Sequence, residues 1–126
     1  MTQPIKASVT KIDDVKLSPQ DIINFLEDHK TEDAVLIDLT GKSSMAEAII
    51  VASGRSQKHI SITAELLKSY IKEKSNFSAL IEGLHTSDWV LIDAGYIIIH
   101  LFKPETRSLY SLEKMWGDND LLRKNN

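Results

Sequence analysis

Residues Asp88 to Gly117 read DWVLIDAGYIIIHLFKPETRSLYSLEKMWG. Two apolar strands, Trp89–Asp93 and Tyr96–Phe102, run back to back across a tight connection at Ala94-Gly95. Pro104 ends the second strand, because proline cannot donate to a ladder. A short helix or helical turns follow from about Thr106 to Met115, closed by Met115-Trp116-Gly117. Both faces of Ile97–Phe102 are largely apolar, which marks a central strand covered on both sides. The polar and aromatic residues set into this stretch are Trp89, Asp93 and His100, then Arg107, Tyr110, Glu113 and Trp116. That mixture differs from a plain core, and it contains no common metal or nucleophile grouping.

Upstream, Ser18-Pro19 opens a first helix. The serine can accept a backbone N–H as N-cap, and proline fits the first helical position. Ile22, Ile23, Phe25 and Leu26 give it an apolar face that fades near His29-Lys30. Ala34–Leu39 and Ala48–Ala52 are short β-branched runs that predict buried strands. Gly41-Lys42-Ser43-Ser44 is the turn between them. Ser56 caps a long helix to about Lys74, with Ile60, Ala64, Leu67 and Ile71 on one face. Ala79–Ile81 reads as an edge strand, followed by a loop at residues 83–87. The order helix, strand, strand, helix, strand, hairpin, helix predicts an α/β or α+β fold, a mixed sheet flanked by helices.

The chain has 126 residues, 42% hydrophobic and 26% charged, enough for one domain with its own core. We expect a loose tail over residues 1–16, a single domain over 17–118 and a frayed end over 119–126. There is no cysteine, which excludes a disulfide framework, a thiol nucleophile and a thiolate zinc site. The net charge is −3, and acids interleave with Lys68, Lys72 and Lys74. A protein partner is therefore expected in preference to direct nucleic-acid binding. No run approaches a membrane span, and the polar N-terminus, with Asp13 and Asp14, reads as neither secretory nor transit signal. A cytoplasmic protein is expected.

With Ala94-Gly95 as the turn residues, Trp89 would lie opposite His100 on one face, and Asp93 further along it. A slip of one residue would dissolve that pair. His100 by itself reads first as a satisfied core histidine. Trp89, at a strand entrance, suits an interface anchor. Ser53-Gly54-Arg55-Ser56 joins a strand to a helix N-terminus. It reads as a turn and cap, since an anion loop would carry more glycine. Asp38 and Asp93 each end a Leu-Ile-Asp segment; they read first as solvated or hydrogen-bonded strand-end carboxylates, though two carboxylates at neighbouring strand ends could hold Mg²⁺. No Asp-x-Asp pair accompanies them. The histidines His29, His59, His85 and His100 have no zinc spacing. Arg107, Tyr110 and Glu113 can share one side of a helix and knit the C-terminal segment to the sheet.

Several ordered motifs between Ser18 and Gly117 together resemble the ribosomal silencing factor (RsfS, or Iojap) family. Gly41-Lys42-Ser43-Ser44-Met45-Ala46-Glu47 resembles its first turn, and Ala52-Ser53-Gly54-Arg55-Ser56 its bend. Trp89-Val90-Leu91-Ile92-Asp93, Gly95 and His100 resemble its hairpin. Arg107, Tyr110-Ser111-Leu112-Glu113 and Trp116-Gly117 resemble its ending. Glu47, Ala48, Ala94 and Tyr96 depart from the family pattern at strand ends. The resemblance implies a nucleotidyltransferase-like fold without the catalytic acid pair, no cofactor and no enzymatic activity. It implies binding to the large ribosomal subunit through ribosomal protein uL-fourteen, steric exclusion of the small subunit, repression of translation under nutrient limitation, and a homodimer. It also points to Trp89, Asp93, His100, Arg107 and Tyr110 as the partner surface. A large-subunit assembly role, a nucleotide- or Mg²⁺-dependent transferase using Asp38 and Asp93, and a dimeric adaptor remain alternatives.

Overall fold

The computed structural model describes residues 17–110, with side chains to Arg107. The first helix, α1 (Pro19–Asp28), starts with a capping box. Asp21 N–H donates to Ser18 Oγ at 3.1 Å, and Ser18 N–H donates to Asp21 Oδ2 at 3.1 Å. Two orphan donors are thereby satisfied at the entrance, and Ile22, Ile23 and Leu26 are turned into the core. Strands β1 (Glu32–Asp38) and β2 (Ala48–Ser53) pair antiparallel, with an irregularity between Glu32 and Val35. A bulge of this kind blunts an edge strand. All six residues of β2 are buried.

Helix α2 (Gln57–Ser75) is capped by Ser56 Oγ, which accepts from His59 N–H at 3.1 Å, and it ends at Asn76 in the left-handed region. Strands β3 (Leu80–Glu82), β4 (Trp89–Asp93) and β5 (Ile97–Phe102) complete the sheet, and α3 (Pro104–Tyr110) follows. The strand order is β1-β2-β5-β4-β3; β2 and β5 are parallel and the other pairs antiparallel. The fold is a mixed five-stranded α+β sheet, and β5 is the central strand, as its two apolar faces predict. Helices α1 and α2 cover one face, burying Ile22, Leu26, Ile60 and Leu67 against Ile50, Val90, Ile92 and Ile99. A second apolar cluster, centred on Ile37, Ile49, Val51 and Phe102, lies on the opposite face.

The hairpin register differs from the expected one by two residues. Ala94 and Ile97 close the turn, with Ala94 N–H donating to Ile97 O at 2.9 Å, so Gly95-Tyr96 are its central pair. Trp89 then faces Phe102, Leu91 faces His100 and Asp93 faces Ile98. The reason is conformational. Primed hairpin turns require positive φ at the first central position. Gly95 supplies φ 93°, a region that Ala94 would enter only under strain. Asp93 Oδ1 accepts the Gly95 N–H at 2.8 Å. Tyr96 leaves the β4 ladder: its hydroxyl accepts from Leu17 N–H at 2.6 Å, and its carbonyl accepts from Glu47 N–H at 2.7 Å. A shift of two residues preserves the faces, so Trp89 and His100 remain on one side as diagonal neighbours rather than direct opposites.

The remaining differences concern boundaries. β3 begins at Leu80 rather than Ala79, and β1 begins at Glu32 rather than Ala34. The expected N-terminal and C-terminal tails, Glu113 and Trp116 lie outside the described residues.

Candidate functional site

The face opposite α1 and α2 is organised in three rows across the sheet. The first holds Ser53, Phe102 and Trp89; the second Val51, His100, Leu91 and Glu82; the third Ile37, Ile49, Ile98, Asp93 and Leu80. Trp89 stands where the first row meets solvent. It is half-buried, and its ring lies 5.0 Å from Phe102 and 5.8 Å from His100, centroid to centroid. His100 and Phe102 stack with an interplanar angle of 12°. Such aromatic contacts add about 0.5–1.5 kcal/mol beyond area burial.

The indole is also fixed by a hydrogen bond. Trp89 Nε1–H donates to His100 Nδ1 at 2.9 Å. An acceptor at Nδ1 must be unprotonated, so His100 is neutral with its proton on Nε2. Burial explains why this state holds. His100 is only 6% exposed, and desolvation lowers its pKa from 6.5 to about 4. His100 is thus a buried core histidine that also fixes the Trp89 indole by accepting its N–H.

Asp93 sits on the same face as Trp89, four residues along β4, about 13 Å away at strand rise. Arg107 reaches the first row from α3: its Nη1–H donates to Ser53 Oγ at 2.8 Å, and Ser53 is buried. The knitting role expected of Arg107 is therefore present at the Trp89 end of the sheet. Tyr110 is the last residue of α3, and its side chain lies outside those described. Trp89, His100 and Arg107 thus share one end of the face, and Asp93 marks the other.

Around the third row stand residues that sequence reasoning did not select. Met45, Phe77 and Leu80 are 86%, 41% and 65% exposed, and with Asp93, Gly95 and Ile98 they line an open concavity of about 480 Å³. Large apolar residues grouped in the open signal an interaction surface. Their sequence separation concealed them.

The Mg²⁺ alternative loses its geometry. Asp38 and Asp93 are not on neighbouring strands, because β2 and β5 stand between β1 and β4. They also lie on opposite faces, since Asp38 pairs with Ala48 on the helix side and Asp93 with Ile98 on the other. Each closes its own turn: Asp38 Oδ1 accepts from Thr40 N–H at 2.9 Å, as Asp93 Oδ1 does from Gly95. Among the described residues no group of three His, Cys, Asp or Glu could hold a metal ion.

The bend at Ser53-Gly54-Arg55-Ser56 is a turn and cap. His59 completes it: its Nδ1 accepts from Arg55 N–H at 2.9 Å, and its Nε2–H donates to the His29 carbonyl at 2.7 Å, tying α2 to the end of α1. A methyl group at Gly54 would collide with the Ile60 side chain. Among the described residues, no helix is long and apolar enough to cross a membrane.

The family described as "Ribosomal silencing factor during starvation" matches residues 13–126. A ribosomal silencing factor RsfS from Zymomonas mobilis is 46% identical over 99 residues, covering 79% of this chain and 74% of its own. One from Bacillus subtilis is 34% identical, covering 75% and 80%. A mouse relative named "Mitochondrial assembly of ribosomal large subunit protein 1" is 32% identical over 75% of this chain, which spans 43% of its length. Among solved structures, a Chromobacterium violaceum protein superposes with a TM-score of 0.72 at 31% identity, covering 80% of this chain and 88% of that one. A family match over nearly the whole length, close relatives of the same name and the same fold lead to one conclusion: this chain belongs to the ribosomal silencing factor (RsfS) family.

Proposed function

We propose that this protein acts by occlusion in the cytoplasm: it binds the large ribosomal subunit through ribosomal protein uL-fourteen, prevents the small subunit from joining, and so represses translation when nutrients are limiting. It is a binding factor rather than an enzyme and needs no cofactor. The observation that carries this reading is the half-buried Trp89, held by the hydrogen bond to His100 and stacked on Phe102, on a sheet face free of α1 and α2. Aromatic anchors fixed in one rotamer are the usual centres of protein interfaces, because little side-chain entropy is lost on binding. Asp93 supplies a charge on the same face, and Arg107 braces the end where Trp89 sits.

Co-sedimentation with isolated large subunits, followed by addition of small subunits, tests the reading. Binding should reduce the formation of joined ribosomes. Trp89→Ala should weaken binding by about 2 kcal/mol or more, roughly thirty-fold in affinity. A folded Trp89→Ala protein that binds as wild type does would overturn the assignment of the surface. Binding confined to precursor subunits would favour an assembly role, in keeping with the name of the mouse relative.

A further inference from the structure

The concavity in the third row of the face combines two chemistries. Its apolar part comes from Met45, Phe77, Leu80 and Ile98, three of which are markedly exposed. The charge in its lining is Asp93, with no lysine or arginine beside it among the lining residues. Asp93 Oδ1 is occupied by the Gly95 N–H; Oδ2 has no donor among the described residues. Glu82, exposed on the same face of β3, adds a second acid nearby. The backbone builds the shape. Gly95 turns at φ 93° with its Cα against the Phe77 ring, where an added Cβ would stand 3.1 Å from Cζ. β3 is a three-residue edge strand, which leaves Leu80 uncovered.

Exposed apolar side chains grouped around one hollow are a signature of an interaction surface. An apolar hollow bordered by carboxylates selects a partner that brings an apolar side chain flanked by a cation, since a partner acid would be repelled by Asp93 and Glu82. The hollow is continuous with the Trp89 surface through β4, whose Trp89, Leu91 and Asp93 share one face.

We propose that this hollow is a second docking point for the ribosomal partner, taking an apolar side chain flanked by a lysine or arginine. The inference rests on the ribosome-binding reading above and specifies the partner chemistry at the far end of the same surface. Two points about 13 Å apart along β4 define an orientation, which a single tryptophan anchor does not.

The test is co-sedimentation of the full chain with large subunits across a salt series. It compares wild type with Leu80→Lys, Met45→Lys and Asp93→Asn. The two lysine substitutions fall on exposed side chains and leave the core untouched. Asp93→Asn keeps an oxygen for the Gly95 N–H and removes only the charge. Leu80→Lys and Met45→Lys should each weaken binding by about tenfold or more. Asp93→Asn should weaken it at low salt and flatten its salt dependence. If both lysine variants bind as wild type while Trp89→Ala does not, the hollow is not a docking point and the Trp89 reading stands. If they bind subunits normally but convert a wild-type dimer to monomer, the hollow is a contact between copies, which also overturns the proposal. Failure of the wild type to bind at all defeats the parent reading and this inference with it.

Discussion

Replacing His100 separates bracing from packing. His100→Leu retains an apolar group of similar size under Trp89 but removes the Nδ1 acceptor. The lost bond costs about 0.5–1.5 kcal/mol net, and stranding a fully buried donor would cost about 1–3 kcal/mol. Trp89 is half-buried, so its N–H can partly recover water, and a total loss of about 1–2 kcal/mol is expected. His100→Asn places an amide oxygen near the position of Nδ1 and should recover most of that loss. The pH dependence is the sharper readout. The folded pKa of about 4 lies below the ordinary value of 6.5. The unfolded chain therefore binds the proton first, and the histidine's contribution is present above pH 6.5 and lost as the pH falls toward 4. Integrated between pH 7 and pH 5, this amounts to about 2 kcal/mol. Urea denaturation at the two pH values measures it, with wild type compared with His100→Asn so that the other histidines cancel. Equal pH slopes in both proteins would refute the buried, neutral assignment.

Two further substitutions probe the frame. Gly54→Ala places a Cβ against Ile60 at the start of α2, and overpacking of this kind should lower stability by about 1–3 kcal/mol in the same denaturation assay. His59→Ala removes both the acceptor for Arg55 N–H and the bond to the His29 carbonyl, and should cost about 1–2 kcal/mol with little change in large-subunit binding.

The elements of this protein are legible in its sequence because each carries a local signal. Ser18-Pro19 and Ser56 mark helix starts by side-chain chemistry that acts within three residues. Ile97–Phe102 announces a central strand because both of its faces are largely apolar. The hairpin register is less legible. The turn is settled by which residue takes positive φ, and it is held by a contact from Tyr96 to Leu17, 79 positions away. His59 gave no sign of its role, because one of its two partners, the His29 carbonyl, lies 30 residues away at the end of another helix.

By itself, the sequence determined the class of fold, the central strand and the side of the sheet shared by Trp89, Asp93 and His100. Strand alternation has a period of two, and the register moved by two, so the face survived the error. Tertiary structure alone decided the rest. Strand order separated Asp38 from Asp93, removing a metal pair that sequence proximity to strand ends had suggested. Diagonal contact across β4 and β5 joined the Trp89 indole to His100. The β2–β5 and β3–β4 pairings and the Gly95 turn brought Met45, Phe77 and Leu80 around one hollow. Such arrangements depend on which distant segments pack together, which local propensity and periodicity do not encode.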